Sequence, residues 1–205
     1  MTDPGTKRTD AEARRQRIVD AASACARRSG FHGASMAEIA QAAGLSVGQI
    51  YRYFENKEAI IAAIVARDMA EMRDVFAEFQ NASEPLLDTV LTKCSAALDD
   101  AYDRDRAALM LEVVAEAARN PAVAAILEAA DAEERRLKLD LIARTLPADC
   151  DPRERQARSE VISMLLEGMC VRGVNNPRAD REAIARVMRS VMRRLLAGPL
   201  EDRPS

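Results

Sequence analysis

The chain has 205 residues, 48% of them hydrophobic and 31% charged, with a formal net charge of −3, which is enough apolar material for one large or two modest domains. No apolar run approaches the ~18 residues of a membrane span, and the Arg- and Asp-rich first thirty residues are unlike a signal peptide, so a cytoplasmic protein is expected. Cys25, Cys94, Cys150 and Cys170 are far apart with no CxxC pair, and there is no Gly-rich phosphate loop, metal-ligand cluster or Ser-His-Asp order, so disulfides, metals, other cofactors and catalysis are not expected.

In chain order, Met1 to Thr9 holds Pro4 and Gly5 without apolar periodicity and is expected to be an irregular arm. A first helix is predicted over Asp10 to Ser29, with Ile18, Ala22, Cys25 and Ala26 inward, Arg14, Arg15 and Arg17 near its start, and Gly30 ending it. His32, the only histidine, falls in the next loop as a surface or packing residue. Ser35 followed by Glu38 is a capping box that opens a second helix at Met36, and Gly44 stops it. Ser46 and Gln49 repeat the pattern for a third short helix with Ile50 and Phe54 inward. Asn56 caps a long fourth helix running from Lys57 to about Gln80.

Two short helices joined by a Gly-containing turn are what a DNA-reading unit requires. With Ile50 and Phe54 inward, Val47, Gly48, Gln49, Tyr51, Arg52 and Tyr53 face outward. Gln pairs bidentately with adenine, Arg with guanine, and Val meets a thymine methyl, while Gly48 lets the helix approach closely. Ser35, Ser46, Tyr51, Tyr53, Lys57 and the helix-terminal amides suit phosphate oxygens. Charge is divided in the same sense: residues 1 to 57 hold nine Lys/Arg and six Asp/Glu, a balance of +3, and the rest hold 21 and 27, a balance of −6.

Ser35, Ile39-Ala40, Ala43-Gly44-Leu45-Ser46, Tyr51 to Phe54 and Asn56-Lys57-Glu58 occur in order and in register. In these elements the sequence resembles the TetR family of bacterial transcriptional regulators, a likeness specific to about the first quarter of the chain. The resemblance implies an all-α protein with a three-helix helix-turn-helix domain, here 1–56, and a helical ligand-binding and dimerisation domain, here 57–205.

The remaining helices are predicted at roughly Glu84 to Tyr102, Arg106 to Arg119, Pro121 (capped by Asn120) to Leu146, Pro152 (capped by Asp151) to Arg172, and Asp180 to Ala197 before Gly198. The eighth carries Val161, Leu165, Gly168, Met169 and Arg172 along one side, and the ninth Ile184, Val187, Met188, Val191 and Leu195 over more apolar surface than one neighbour needs. A homodimer is expected, since one two-turn recognition helix reads too few bases and twofold-related copies read a palindrome. The resemblance implies the same, through a four-helix bundle of the last two helices of each subunit.

Helices four to eight also carry a soft, mostly apolar set: Met69, Met72, Phe76, Cys94, Leu98 and Tyr102, then Met110, Val114, Leu127, Met164 and Glu167. The resemblance implies an inducer pocket among them for a hydrophobic or amphipathic small molecule. The expected function is a ligand-responsive regulator that represses from a palindromic operator, controlling an efflux or metabolic operon. The rival is a constitutive or architectural DNA-binding protein with a filled C-terminal core.

Overall fold

In the computed structural model, which describes residues 4–81 and 85–198, nine α-helices and no strands are present among the described residues. They are α1 (Pro4–Gly33), α2 (Met36–Ala42), α3 (Val47–Ile50), α4 (Lys57–Asn81), α5 (Leu86–Ala101), α6 (Arg104–Ala117), α7 (Pro121–Thr145), α8 (Pro152–Asn175) and α9 (Arg181–Ala197). The all-α expectation is met.

Most helix starts follow from local capping chemistry. The Asp103 carboxylate accepts from Arg106 N at 2.8 Å, Asn120 from Ala122 N at 3.1 Å, Asp151 from Arg153 N at 2.9 Å and Asp180 from Ala183 N at 2.9 Å. Each bond satisfies an amide that has no partner inside its helix. Asp103 therefore opens α6 two residues before the expected start at Arg106.

The N-terminal arm is a correction. Residues from Pro4 onward are helical and continuous with α1, while Met1 to Asp3 lie outside the described residues. Proline is tolerated in a first turn, and the Lys, Arg, Ala and Glu that follow propagate a helix without any apolar face. At the other end Gly30, at φ 72°, breaks the helical path, and Phe31 just beyond it is fully buried. The expected Ser83 and Glu84 start of α5 lies outside the described residues, and α5 opens behind Pro85 with no side-chain cap.

The contacts divide the chain into two compact units. The first comprises Met1–Met69 and Ala108–Ala130, so it includes the start of α4 and the α6–α7 corner as well as α1 to α3; the expected boundary lay after residue 56. Its core is one cluster of Ile18, Ala22, Cys25, Phe31, Ile39, Ile50, Ile60, Ile61 and Ile64, all at 0% exposure, joined by Leu109, Val113 and Val123. Each such isoleucine contributes about 1.5 to 3 kcal/mol by leaving water, which is ample to hold two very short helices in place. Within this unit Asn120 Nδ2 donates to Glu58 Oε1 at 2.9 Å, tying the corner to the start of α4.

The second unit comprises Ala70–Ala107 and Asp131–Ser205 and has two smaller apolar clusters. One gathers Phe79, Val90, Leu91, Leu141, Ile142, Ile162, Met192 and Leu196, the other Leu98, Ala101, Tyr102 and Met169. The closeness of α8 to the end of α5 depends on Gly173, where a Cβ would meet the Ala101 carbonyl oxygen at 2.5 Å. Arg158, only 3% exposed, ends α9: its Nη1 donates to the carbonyls of Arg194, Leu195 and Gly198 at 3.0 Å each, and its Nη2 bonds Glu154.

Candidate nucleic-acid interface and effector region

Both reading helices are fixed at their first turn by reciprocal capping boxes. Ser35 Oγ accepts from Glu38 N at 3.2 Å while Glu38 Oε2 accepts from Ser35 N at 2.9 Å; Ser46 Oγ and Gln49 Oε1 repeat this with Gln49 N and Ser46 N at 3.2 and 2.8 Å. These bonds from Ser35 hold the exposed Glu38 carboxyl below its ordinary range. Gly44, at φ 66°, supplies the left-handed residue of the intervening turn. Beyond Ile50 the chain continues as a turn closed by Tyr53 N and Phe54 N on the Ile50 carbonyl, at 2.9 and 3.0 Å.

Arginines of α1 clamp this assembly, a role not anticipated for them. Arg15 Nη1 donates to the Tyr53 carbonyl at 3.1 Å with its guanidinium 4.2 Å above the Phe54 ring, and Arg17 Nη2 donates to the Ala43 carbonyl at 2.9 Å. The signal for this in the sequence is that both residues closely precede the inward-facing Ile18.

The expected DNA-contacting residues separate into two groups. Val47 (43% exposed), Tyr51 (51%) and Arg52 are exposed, together with Gly48. A Cβ built on Gly48 would meet nothing within 4 Å, so nothing among the described residues requires glycine there. In a helix that residue costs roughly 0.5 to 1 kcal/mol relative to alanine, which argues for an approaching surface from outside.

Three expected contact residues have partners within the free chain. Gln49, expected both to cap α3 and to pair bidentately with adenine, is exposed, and its Oε1 accepts from Ser46 N. Lys57 was expected on phosphate, but its Nζ donates to the carbonyls of Phe31 and Ala34 at 2.5 and 3.4 Å, closing the end of α1. Tyr53 is half-buried against the core, and its side chain is the main influence raising the proton affinity of the neighbouring Arg14 guanidinium. The hydroxyls of Ser35 and Ser46 are exposed but serve as caps.

The expected pocket residues do not form one set. Met69, Met110, Val114 and Leu127 belong to the first unit, where Leu127 packs on the core and Val114 is 48% exposed. Met72, Phe76, Cys94, Leu98, Tyr102, Met164 and Glu167 belong to the second. There Phe76 and Cys94 line the larger cluster, Phe76 meeting Phe79 edge-on at 5.6 Å, while Leu98 and Tyr102 lie in the smaller. Met164 is a correction: at 61% exposure it faces outward, because Ile162 and Met169 occupy the inward side of α8.

A groove of about 420 Å³ between α5 and α9 is lined by Ala96, Leu98, Asp99, Arg181, Glu182 and Ala185, with Arg181 5.0 Å over the Tyr102 ring. Burial pushes the Cys94 thiol up to about 11 and raises that of Cys170, so both are protonated at neutral pH and are poor nucleophiles or metal ligands. Among the described residues no group of three potential metal ligands is gathered. Between α7 and α8 the 5% exposed Lys138 donates to Ser163 Oγ and to Glu134 Oε1 at 2.9 Å. Burial, followed by the Glu134 carboxylate, pushes the nearby Glu167 carboxyl up.

The expected dimer face also divides. Val161 (41% exposed), Val187 (65%), Val191 (39%) and Arg172 point outward, and Leu165, Gly168, Ile184 and Met188 are half-buried. Met169 and Leu195 are corrected: at 6% and 7% exposure they serve the chain's own clusters. Met164 and the 41% exposed Val171 join the outward face in their place. An apolar groove of about 400 Å³ runs beside it, lined by Leu165, Ala183, Ile184, Val187, Met188 and Val191. No described helix is long and apolar enough to cross a membrane.

Comparison with known proteins accounts for both ends of the chain. Residues 18–64 match the family described as bacterial regulatory proteins, tetR family, and residues 86–197 match the BetI-type transcriptional repressor C-terminal family. The HTH-type transcriptional regulator UidR of Escherichia coli (strain K12) is 34% identical over 122 residues, covering 58% of this chain and 60% of UidR, so the match spans about three-fifths of that relative. The solved structure of Salmonella enterica GusR superposes with a TM-score of 0.73 at 26% identity, over 96% of this chain and 98% of that one. FadR from Bacillus subtilis, solved in complex with stearoyl-CoA, shares the fold at a TM-score of 0.66 and 21% identity, over 90% and 98% of the two chains.

Proposed function

The chain belongs to the TetR family of bacterial transcriptional regulators, and we propose that it is a repressor that binds a palindromic operator as a homodimer and leaves it when a hydrophobic or amphipathic small molecule binds its C-terminal half. The observation that carries the DNA-reading part is the exposed group Val47, Gly48, Tyr51 and Arg52 on a turn whose other polar groups are committed to holding its shape. Arg52 takes the base-reading role toward guanine, Val47 meets a thymine methyl, and the Tyr51 hydroxyl takes a phosphate. The protein acts by binding in the cytoplasm, not by turnover. Domain assignments follow: the first unit, with its α6–α7 corner, reads DNA, and the second binds ligand and the second copy.

Selection of bound sequences from a random DNA library tests this reading. The wild type should return a palindromic consensus, Arg52→Ala should lose preference at particular base pairs by roughly 1 to 3 kcal/mol, and Tyr51→Phe should weaken all sequences alike. An unchanged consensus with Arg52→Ala would remove Arg52 from the readers.

The ligand class rests on the soft apolar lining of the C-terminal half, with Phe76, Cys94 and Leu98 among it, and on the fold shared with FadR, whose structure holds stearoyl-CoA. A ligand lowers operator affinity only by preferring the conformation that does not fit DNA. A coupling of about 1 to 3 kcal/mol corresponds to a five- to 150-fold change, and operator DNA must weaken ligand binding by the same factor. Titration of long-chain acyl thioesters against free protein and against the operator complex reads this directly, and equal affinities would rule out induction by such ligands.

A further inference from the structure

The groove of about 420 Å³ between α5 and α9 lies wholly in the second unit, and it brings two opposite charges together without pairing them. Arg181 and Asp99 both line it, and among the described residues neither side chain makes a hydrogen bond or an ion pair. Pairing is the habit of the charges around them. Glu182, also on the groove, holds Arg186 at 2.8 Å, Asp88 holds Arg193 at 3.3 Å, and Glu78 holds Lys93. The rest of the lining, Ala96, Leu98 and Ala185, is apolar.

Arg181 is also held in place. Its guanidinium lies 5.0 Å over the Tyr102 ring, a contact that orients it while using none of its five N–H donors. Tyr102 packs in the smaller apolar cluster with Leu98, Ala101 and Met169, so the platform under the guanidinium is set by the core. A stacked guanidinium with free donors is prepared for a carboxylate, which it takes through two parallel N–H···O bonds. The Asp99 carboxylate only accepts, and so suits an ammonium. With Glu182 spent on Arg186, the two open charges of the groove cancel, and the complementary ligand carries one charge of each sign.

We propose that the α5–α9 groove is a binding site for a small zwitterion of the amino-acid class, with its carboxylate on Arg181, its ammonium on Asp99 and its hydrocarbon segment along Ala96, Leu98 and Ala185. The groove has the volume of a small-molecule site, roughly 300 to 1,000 Å³. Self-association leaves it open: at about 100° per residue, Arg181, Glu182 and Ala185 lie on a different side of α9 from Val187 and Val191. The site goes beyond the operator and effector reading above and does not depend on it.

The test is a titration of the isotope-labelled full chain, followed by amide chemical shifts, with ω-amino carboxylates of increasing length from glycine to 6-aminohexanoate. At least one should bind with a Kd on the order of 1 mM, as befits about ten non-hydrogen atoms in an open groove, and should move the amides of Arg181, Glu182 and Ala185. The alkanoate and the alkylamine of the same length each lack one charge and should bind about tenfold more weakly; either one binding equally well would overturn the zwitterion. Arg181→Gln and Asp99→Asn, both at exposed positions, should each weaken binding about tenfold, whereas Arg193→Gln, which removes a charge from α9 away from the groove, should change it by less than about twofold. Equal losses in all three variants would reduce the effect to net charge and remove the site. So would the absence of binding by every probe up to about 20 mM, or shifts centred on Phe76 and Cys94 instead of the start of α9. Operator binding in the same samples checks the regulator reading separately, and neither result there changes this one.

Discussion

The DNA-reading unit and the α8–α9 region use their side chains in opposite ways. In the first, even exposed polar groups have local tasks: Ser35, Ser46, Glu38 and Gln49 cap, Arg15 and Arg17 clamp, and Lys57 closes α1. In the second, large apolar side chains such as Met164, Val187 and Val191 stand in water while a charged one, Arg158, is buried. On the proposed function, the first arrangement fixes backbone shape and leaves a few side chains for nucleic acid, and the second leaves apolar area for a second copy.

Breaking the buried ends of this contrast should have the largest effects. Removing the guanidinium with Arg158→Ala strands Glu154 and the last carbonyls of α9, and should cost about 3 to 5 kcal/mol in urea unfolding. Ile50→Ala, at a fully buried position of the short third helix, should cost about 2 to 5 kcal/mol and abolish operator binding even where the C-terminal half stays folded. If the two changes unfolded the protein in one identical transition, the units would be energetically inseparable despite their separate cores.

Smaller effects sharpen the comparison. Ser46→Ala should cost about 1 kcal/mol in urea unfolding by losing the bond that Ser46 Oγ accepts from Gln49 N, while Gln49 Oε1 keeps the backbone amide of residue 46. Proton titration should then push the two units in opposite directions. The Glu58 carboxyl is held below its ordinary range by its own backbone amide and Asn120, so its contribution is fully present above the unfolded pKa and is lost as pH falls through the folded value. Glu167 is shifted upward by burial and Glu134, so its ionised form destabilises at neutral pH and the penalty fades as pH falls through its raised pKa. Glu167→Gln should therefore stabilise at pH 7, by at most about 0.5 kcal/mol at this solvent-screened position, and lose that advantage in acid. Thermal melts from pH 7 to pH 4 check both signs.

What could be read from the amino-acid order was the part governed by contacts three or four residues apart. Ser35 with Glu38, Ser46 with Gln49, Gly44, and the Asn120-Pro121 and Asp151-Pro152 starts are all of this kind, and they place the reading turn correctly. The facing of a stripe is decided by whichever helix happens to lie opposite. Periodicity therefore put Met169 and Leu195 outside and Met164 inside, when the neighbours of α8 and α9 require the reverse. Gln49 and Lys57 each have the chemistry for DNA, and in the free chain a nearer backbone group holds each of them.

The separation of capping from reading at the third helix has an evolutionary consequence. Val47, Tyr51 and Arg52 are exposed and the helix start is secured by Ser46 and Gln49, so exchanges among these proposed readers leave the fold's free energy nearly untouched. After a gene duplication, the two descendants could drift to different operators by single substitutions, with no unfolded ancestor along the route.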